Sequence, residues 1–560
     1  MSLVDYIPVE ILLYIFTHLG VRDLLRCQVV SQRWNGAIAN ATGLQYRIDL
    51  AKLGYKDHCH ELELQPQPSV PIVHRRNELQ RIEGAWFQVG IPLEQRIRPA
   101  PVSIPVEGLT YESQCKLVGD CLCIERFPGM FAIFNLACLR QGDAPIPRCM
   151  ALNLDRLTLA ISRYDWHFDL EHNLLAVVIV TEDSELSVIV LPFNEANAPP
   201  VTRRHIFLGM ANEVDDTEDW AVNYSIENNF IVIAWSAEHW RPAEQIVVLH
   251  WPSEQVIKRF CSFGNTDYLA AKIICGTYLL VIQHDRDRGG YGMLHLDVYR
   301  INPQTLRADC IYIYEFPRTN VLLEPRSCYA AWTSSTSLSK IYEPNHAGSL
   351  SPVPVMLHFQ LGVQGLRPDY APIYAVFIPL KTLIDLDAPA NPSLVSKPKT
   401  IPWSLWGPQG SHLCSSQHQY PGNADGSDTH SEHHLAWISG YHALCPEAGE
   451  ILDFNPHYAT RFSPGQPLPN GVRSLGAECF NDKSLLFKDS VHTSLPYLRI
   501  PIPAFDQYFL RSPLELLPHS SAAFDAWTFQ DSEGIKLVQL LKDPNSETPE
   551  HPTYLRTSVL

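Results

Sequence analysis

The 560-residue sequence lacks any apolar stretch close to the roughly 20 residues that a membrane-spanning helix needs. One of its longest apolar runs extends only from Leu174 to Val180. The N-terminus also lacks the basic region, apolar core and small-residue cleavage site of a secretory signal. These absences predict a protein without a membrane partner that works inside the cell, in the cytoplasm, the nucleus or both.

Positive charge is in short supply, with 43 Lys+Arg against 60 Asp+Glu and a formal net charge of -17. The chain has no run rich in lysine and arginine, and such runs are what bind a phosphate backbone. The sequence therefore disfavours a nucleic-acid partner. Its 14 cysteines show no disulfide framework and no CxxC pair, which predicts reduced thiols.

The motifs of several common catalytic sites are missing as well. The sequence contains no GxSxG nucleophile turn, no GxxxxGK[ST] phosphate loop and no HExxH zinc helix. We therefore predict no catalytic site, no cofactor and no enzymatic activity.

Possible metal ligands cluster late in the sequence, but their spacing fits no compact zinc site. The members are Cys414, His418, His430, His433, His434, His442 and Cys445. The glycine, serine and aspartate residues around them are typical of a solvated loop, so we predict no bound metal. Two other segments are also best explained as loops. The first is the acidic run Glu213 to Asp219, which could alternatively bind a basic segment of a partner protein. The second is Asp285 to Gly290, which could alternatively form a calcium site.

What the N-terminus does have is helical periodicity. Apolar residues recur at Ile7, Ile11, Leu12, Ile15, Phe16 and Leu19, and the stripe resumes at Val21, Leu24, Leu25 and Val29. Pro8 suits the start of the first helix, and Ser31 is positioned to cap a third helix that contains Trp34. About 40 residues rarely bury enough surface to be stable alone. The apolar stripes must therefore be covered, either by the rest of this chain or by another protein.

In order and spacing, this segment resembles the F-box over about residues 5 to 45. The matching runs are Ile7 to Leu12, Ile15-Phe16, Leu19, Asp23 to Cys27 and Val29 to Trp34. Ile7-Pro8 replaces the usual Leu-Pro, and Gly20-Val21 replaces the usual proline after the first helix. Neither departure removes an apolar anchor.

The resemblance implies three helices that bind a Skp-type adaptor, and through it a cullin scaffold. The residues that it implies for adaptor binding are Ile7, Pro8, Ile11, Leu12, Ile15, Leu24 and Leu25. Those that it implies for the internal core of the F-box are Phe16, Leu19, Val29, Val30 and Trp34.

After about residue 100 the chain consists of paired short runs with strand character. Examples are Leu174 to Val180 with Leu186 to Phe193, Phe230 to Trp235 with Gln245 to Trp251, and Tyr278 to Gln283 with Leu294 to Ile301. Their loose period is close to the length of a propeller blade. We therefore predict a large, mostly β domain, a β-propeller of six or seven blades. Because no WD or kelch signature recurs, a large β-sandwich or mixed β domain is the alternative.

These observations predict four parts: an F-box helical domain at 1–45, a helical or extended linker at 46–105, a propeller-like substrate-binding domain at 106–545 and a tail at 546–560. Segments near Asp453, Phe487 and Tyr497 resemble the closing region of large F-box proteins of mushroom-forming fungi. The predicted function is substrate recognition for an SCF-type ubiquitin ligase, with an unknown protein substrate. A scaffold that binds the adaptor outside a ligase, and a propeller enzyme that carries an F-box, are the alternatives.

Overall fold

The structure is a computed structural model, and it describes part of the chain in detail. The described residues are 7–57, 71–89, 102–106, 115–118, 121–127, 130–135, 148–151, 161–169, 174–183, 185–192, 204–210, 221–227, 229–236, 243, 245–262, 265–286, 292–319, 328–332, 350–352, 356–363, 373–384, 397–416, 437–439, 441–445, 450–456, 474–476, 479–480, 487, 491–493, 495, 497–501, 523–531, 534–542 and 553–559.

Four helices form the N-terminal module: α1 (Val9–Thr17), α2 (Val21–Gln28), α3 (Gln32–Asn40) and α4 (Thr42–Leu53). As predicted, α1 begins directly after Pro8, and the Ser31 hydroxyl accepts the Trp34 backbone N–H at 3.1 Å to cap α3. Gly54 follows α4 in the left-handed conformation, with φ 75, which favours glycine. The shared core consists of Leu12, Phe16, Leu24, Ala37, Ile38, Leu44 and Ile48. Because α4 contributes to this core, the module extends past the predicted boundary at residue 45.

Within the predicted linker, the structure contains β1 (Tyr55–Asp57) and a long helix, α5 (Ile72–Val89). The buried side chains of Tyr46, Tyr55 and Leu79 pack together between α4, β1 and α5. β1 pairs antiparallel with β20 (Leu350–Pro352), which belongs to the β domain. This region is therefore a packed junction between the module and the β domain.

The β domain contains seven sheets of four or five strands among the described residues. The first sheet is β3 (Cys115–Val118), β4 (Cys121–Phe127), β5 (Met130–Asn135) and β6 (Arg148–Ala151); the second is β7 (Ile161–Asp169), β8 (Leu174–Thr181), β9 (Glu185–Pro192) and β10 (Arg204–Met210). The third is β11 (Ala221–Glu227), β12 (Phe230–Ser236), β13 (Gln245–His250) and β14 (Gln255–Cys261). The fourth is β15 (Thr266–Ile274), β16 (Tyr278–Arg286), β17 (Gly292–Asn302) and β18 (Arg307–Arg318), with β23 (Lys399–Ile401) parallel to β18 at its edge.

The fifth sheet is β19 (Cys328–Trp332), β21 (Met356–Val363), β22 (Ile373–Pro379) and β24 (His412–Ser416). Two short helices, α6 (Leu380–Leu383) and α7 (Trp403–Gly410), lie between its last two strands in sequence. The sixth is β25 (Trp437–Ser439), β26 (His442–Cys445), β27 (Glu450–Asp453), β31 (Tyr497–Pro501) and β28 (Ser474–Gly476), and a small pair, β29 (Cys479–Phe480) with β30 (Val491–His492), is inserted before β31. The seventh is β2 (Val102–Val106), β34 (Thr553–Val559), β33 (Gly534–Lys542) and β32 (Ala523–Asp531).

Neighbouring sheets pack face to face through separate apolar clusters. One cluster joins the second and third sheets around Val178 and Ile233, and another joins the third and fourth around Val248 and Val281. Every position of β8 is buried because both faces of its sheet are covered. This succession of sheets is the architecture of a β-propeller, and it differs from the two-layer sandwich that was the alternative.

The seventh sheet joins the two ends of the β domain. β2 pairs with β34 in the register Val102↔Thr557, so a strand from the start of the domain completes a sheet formed at its end. The prediction of a tail at 546–560 was therefore wrong for residues 553–559, and β2 lies across the predicted boundary at 105. Within the described ranges, no helix is long and apolar enough to cross a membrane.

Candidate protein-docking surface

Helix α1 is apolar on both of its sides. Leu12 and Phe16 point into the module core, where Leu12 is 1% exposed. On the other side, Ile11 is 51% exposed, and Ile15 lies one turn further along the same face. A helix that is apolar all round is normally buried, so the exposed apolar side chains on the outer face of α1 are unusual for a protein surface. Val9 and Tyr14, which sequence reasoning did not select, are exposed on α1 as well.

The turn between α2 and α3 exposes two further valines. Val29 and Val30, which were predicted to lie in the internal core, are on the surface, and Val29 is 85% exposed. The physical reason is that α2 ends at Gln28, so the helical stripe stops before it reaches them. The Arg33 guanidinium donates to the Ile7 carbonyl oxygen, which brings this turn near the start of α1. We call the exposed side chains of Val9, Ile11, Tyr14, Ile15, Val29 and Val30 the apolar surface of the module.

Two of the residues predicted for adaptor binding lie inside the module. Leu24 is fully buried, as is Leu12, and both belong to the core that the four helices share. In this arrangement, a partner cannot touch either side chain. Ile7 and Leu25 are half-buried against the same core, whereas Pro8 is exposed beside Ile7.

The remaining predicted core residues have internal contacts. The Trp34 ring packs edge-on against Phe16, with 5.5 Å between the ring centroids. Leu19 is partly buried against the same cluster. Aromatic pairs in this geometry contribute about 0.5–1.5 kcal/mol beyond the area that they bury. The contact therefore stabilises α3 against the inner face of α1.

A buried group of ionisable side chains connects α5 with the sixth sheet. His442 Nε2 lies 3.6 Å from Glu83 Oε1 and 3.8 Å from Asp453 Oδ1. Burial raises the pKa of Asp453 to about 7, and an N–H donated by the Asn455 backbone acts in the opposite direction. The pKa of Glu83 is raised well above its ordinary value by burial first and by Asp453 second. No local pattern in the sequence distinguishes Glu83 from an exposed helical glutamate.

The structure also locates part of the metal-ligand cluster considered from the sequence. His442 is buried in the group with Glu83 and Asp453, while His418, His430, His433 and His434 lie outside the described residues. Among the residues that the structure describes, no group of histidine, cysteine, aspartate and glutamate side chains is arranged to hold a metal ion. The acidic run Glu213 to Asp219 also falls outside them.

Solved structures that are similar to this chain include three β-propeller or WD40 domains, all at low sequence identity and low TM-score. The Nup133 β-propeller domain of Vanderwaltozyma polyspora is 10% identical, with a TM-score of 0.25, over 63% of this chain and 81% of that one. The β-propeller domain of Cps50 (Swd1) from Myceliophteria thermophila is 9% identical, with a TM-score of 0.22, over 50% and 85%. The WD40 domain of SCAP from fission yeast is 7% identical, with a TM-score of 0.20, over 51% and 64%.

Comparison with curated proteins found no match. Comparison with family models found one for the N-terminal module, described as F-box-like, over residues 4–51. The match covers α1, α2, α3 and most of α4, which are the four helices that share the module core. The chain therefore carries an F-box-like domain at residues 4–51.

Proposed function

We propose that this protein is the substrate-recognition subunit of an SCF-type ubiquitin ligase. Its F-box binds a Skp-type adaptor, and through it a cullin scaffold, while the propeller binds a protein substrate. The observation that carries the proposal is the apolar outer face of α1, where Ile11 and Ile15 are exposed although Leu12 and Phe16 already supply the inner face. An exposed apolar face of this kind marks a protein-binding site.

The proposed adaptor contacts follow from exposure. Ile7, Pro8, Ile11, Ile15 and Leu25 are accessible or partly accessible, as are Val29 and Val30. Leu12 and Leu24 support this surface from inside. Fully burying an aliphatic side chain is worth about 1.5–3 kcal/mol, so a few such anchors account for most of the affinity of an interface of this size.

The junction between the module and the propeller supports a role in positioning. The paired strands β1 and β20 connect the two parts, and α5 packs against α4, where Arg76 Nε forms an ion pair with Asp49 Oδ2 at 2.7 Å. A substrate on the propeller is therefore held at a restricted distance from whatever binds the F-box. This raises its effective concentration near a ubiquitin-charged enzyme without any catalysis by this chain.

Two readouts separate the alternatives. Copurification of the adaptor with a cullin supports the ligase role, whereas the adaptor without a cullin favours a scaffold outside the ligase.

We also propose an intracellular location, cytoplasmic or nuclear, which cell fractionation checks. The resemblance to fungal F-box proteins stays a prediction.

The decisive experiment uses charge substitutions in the full-length protein. Ile11→Asp places a carboxylate in the proposed interface, and we expect adaptor affinity to fall at least roughly tenfold while the fold is retained. Asn40→Asp adds the same charge at an exposed position at the end of α3 and serves as the matched control. Copurification with a Skp-type adaptor and circular dichroism measure the two effects. Equal adaptor binding by Ile11→Asp and wild type overturns the proposal.

A further inference from the structure

Acidic side chains lie close together near one end of the strands of the fourth sheet, on the face that packs against the third sheet. His295 Nε2 lies 3.6 Å from Asp285 Oδ2, and Glu315 is directly opposite His295 in the β17–β18 register. The Thr266 hydroxyl donates to Asp285 Oδ1 at 2.6 Å, which fixes the carboxylate in place. Each of the four strands β15 to β18 thus contributes a polar side chain at this end of the sheet. We call the group Thr266, Asp285, His295, Asp297 and Glu315 the acidic cleft.

Asp297 forms the inner end of the acidic cleft. It follows His295 by two residues on β17 and therefore lies on the same face of the strand. Asp297 is 4% exposed; its Oδ2 accepts a hydrogen bond from the Tyr299 hydroxyl at 3.4 Å, while its Oδ1 is buried without a hydrogen-bond partner. A buried carboxylate oxygen that accepts no hydrogen bond is costly, and a cationic donor would remove that cost.

The acidic side chains differ in their exposure to solvent, from the protein surface to its interior. The Asp285 side chain is 44% exposed and the His295 side chain 12% exposed, and Asp297 lies deeper still. The two carboxylates are close enough that Asp285 adds to the effect of burial in raising the pKa of Asp297. A positive charge placed beside Asp285 would therefore be attracted by Asp297 as well.

Aromatic rings from both sheets lie between the third and fourth sheets: Phe260 on β14, Tyr268 on β15 and Tyr299 on β17. The Phe260 ring lies 5.2 Å from Tyr268 and 5.4 Å from Tyr299, between ring centroids. Burial raises the pKa of Tyr268, and Asp297 and Asp285 raise it further, so the Tyr268 hydroxyl shares the surroundings of both carboxylates. Lys258 Nζ is 5.7 Å from the centroids of Phe260 and Tyr299, so these two rings already hold a cation of this chain.

Carboxylates beside ring faces suit a guanidinium group better than a compact ion. Arginine is planar, binds carboxylates with two parallel hydrogen bonds and stacks on aromatic rings. No group of side chains in the described part of the chain is arranged to hold a metal ion. The net charge of -17 favours the approach of basic partners at long range.

We propose that the acidic cleft between the third and fourth sheets binds an arginine side chain of the protein substrate. This inference rests on the proposed function, because it names a feature of the substrate that the propeller would recognise. It involves no residue of the F-box, so the two proposals can fail separately.

The test uses peptide pools and the full-length protein. Immobilised protein is exposed to two pools of seven-residue peptides with random flanks, one with arginine and one with glutamine at the centre, and bound peptides are quantified by mass spectrometry. We expect wild type to enrich the arginine pool at least roughly fivefold over the glutamine pool. The double variant Asp285→Asn/Glu315→Gln should lose this enrichment. The matched control is Asp309→Asn/Glu254→Gln, which removes the same two charges at exposed positions, one on β18 and one in the turn before β14.

Each outcome decides the question. Equal enrichment by wild type and the cleft variant, or no arginine enrichment by wild type, overturns the inference. Calcium binding by wild type in calorimetry, lost in the cleft variant, also overturns it in favour of a metal site. Adaptor binding is measured on the same proteins, and the cleft variant should retain it. Arginine enrichment without adaptor binding leaves the cleft in place and removes the proposed ligase function.

Discussion

The side-chain amide of Asn455 donates a hydrogen bond to the backbone carbonyl oxygen of Lys52 at 3.1 Å, across 403 residues of sequence. Lys52 is in the last turn of α4, and Asn455 follows β27 of the sixth sheet. Because Asn455 is fully buried, its amide fixes the F-box module directly to the propeller. The backbone N–H of Asn455 also donates to Asp453 Oδ1 at 2.8 Å, so this contact adjoins the buried group at Glu83 and His442.

Replacing Asn455 should weaken the junction between the two parts. In Asn455→Ala the Lys52 carbonyl loses its donor, and a part-buried hydrogen bond of this kind contributes about 0.5–1.5 kcal/mol. We expect a loss of unfolding free energy of this size in urea titrations and faster proteolysis between α4 and α5. Asn223→Ala, at an exposed position of β11, is the matched control and should leave both unchanged.

The buried and exposed positions of the F-box should respond oppositely to truncation. Leu24→Ala leaves a cavity in the module core, and such a change typically costs about 2–5 kcal/mol. Val29→Ala removes an exposed side chain and should cost less than about 0.5 kcal/mol, while still lowering adaptor affinity. Thermal unfolding followed by circular dichroism, together with adaptor binding, measures both effects. A larger stability loss for Val29→Ala than for Leu24→Ala would contradict the burial pattern.

A buried ion pair in the junction should be far more important than a surface pair on the same helix. Arg75 Nη1 lies 2.6 Å from Asp57 Oδ2, and the two side chains are 11% and 2% exposed. Removing one member of a buried pair costs about 3–5 kcal/mol, because the other charge remains in the interior. Arg81, which pairs with Glu78 at the surface of α5, is the control, and Arg81→Ala should cost about 0–1 kcal/mol. Comparable losses of unfolding free energy for Arg75→Ala and Arg81→Ala would show that the Asp57 pair is not sequestered.

The features that were predicted correctly from the sequence depend on residues that are close together in the chain. The start of α1 at Pro8 and the Ser31 cap depend on residues within one helical turn, so they are visible in the sequence. The paired runs with strand character likewise predicted hairpins between strands that are adjacent in sequence, such as Phe230–Ser236 with Gln245–His250. Counting these hairpins indicated a propeller because each blade is a local unit.

Non-local relationships explain the errors. α1 is apolar on almost every side, so periodicity alone does not show whether Leu12 or Ile11 faces inward; the packing of α3 and α4 decides it. β34 pairs with β2, and nothing within a few residues of Thr553 marks a partner near Val102. The acidic cleft also escaped prediction, because its carboxylates come from three strands and meet only when the fourth sheet forms.

The buried carboxyl groups at the junction should make stability depend on pH. Asp453 has its pKa raised from 3.8 to about 7 in the folded protein, and Glu83 is shifted in the same direction. His442, and the Tyr441 hydroxyl whose pKa burial and Asp453 raise, face the same carboxyl groups. A carboxyl group with a raised pKa holds its proton more tightly when folded. Its stabilising contribution is therefore complete below about pH 4 and is lost as pH rises to about 7.

Asp453→Asn should remove most of this dependence. Asparagine retains a side-chain oxygen for the Asn455 N–H but never ionises, so it mimics the protonated acid. Three pKa units correspond to about 4 kcal/mol, which is the largest difference that this site can make between pH 4 and pH 8. We expect the unfolding free energy of wild type to fall over this range more steeply than that of Asp453→Asn in urea titrations. Asp309→Asn, an exposed carboxyl on β18, should retain the wild-type slope. A retained slope in Asp453→Asn would show that Asp453 is not the source of the pH dependence.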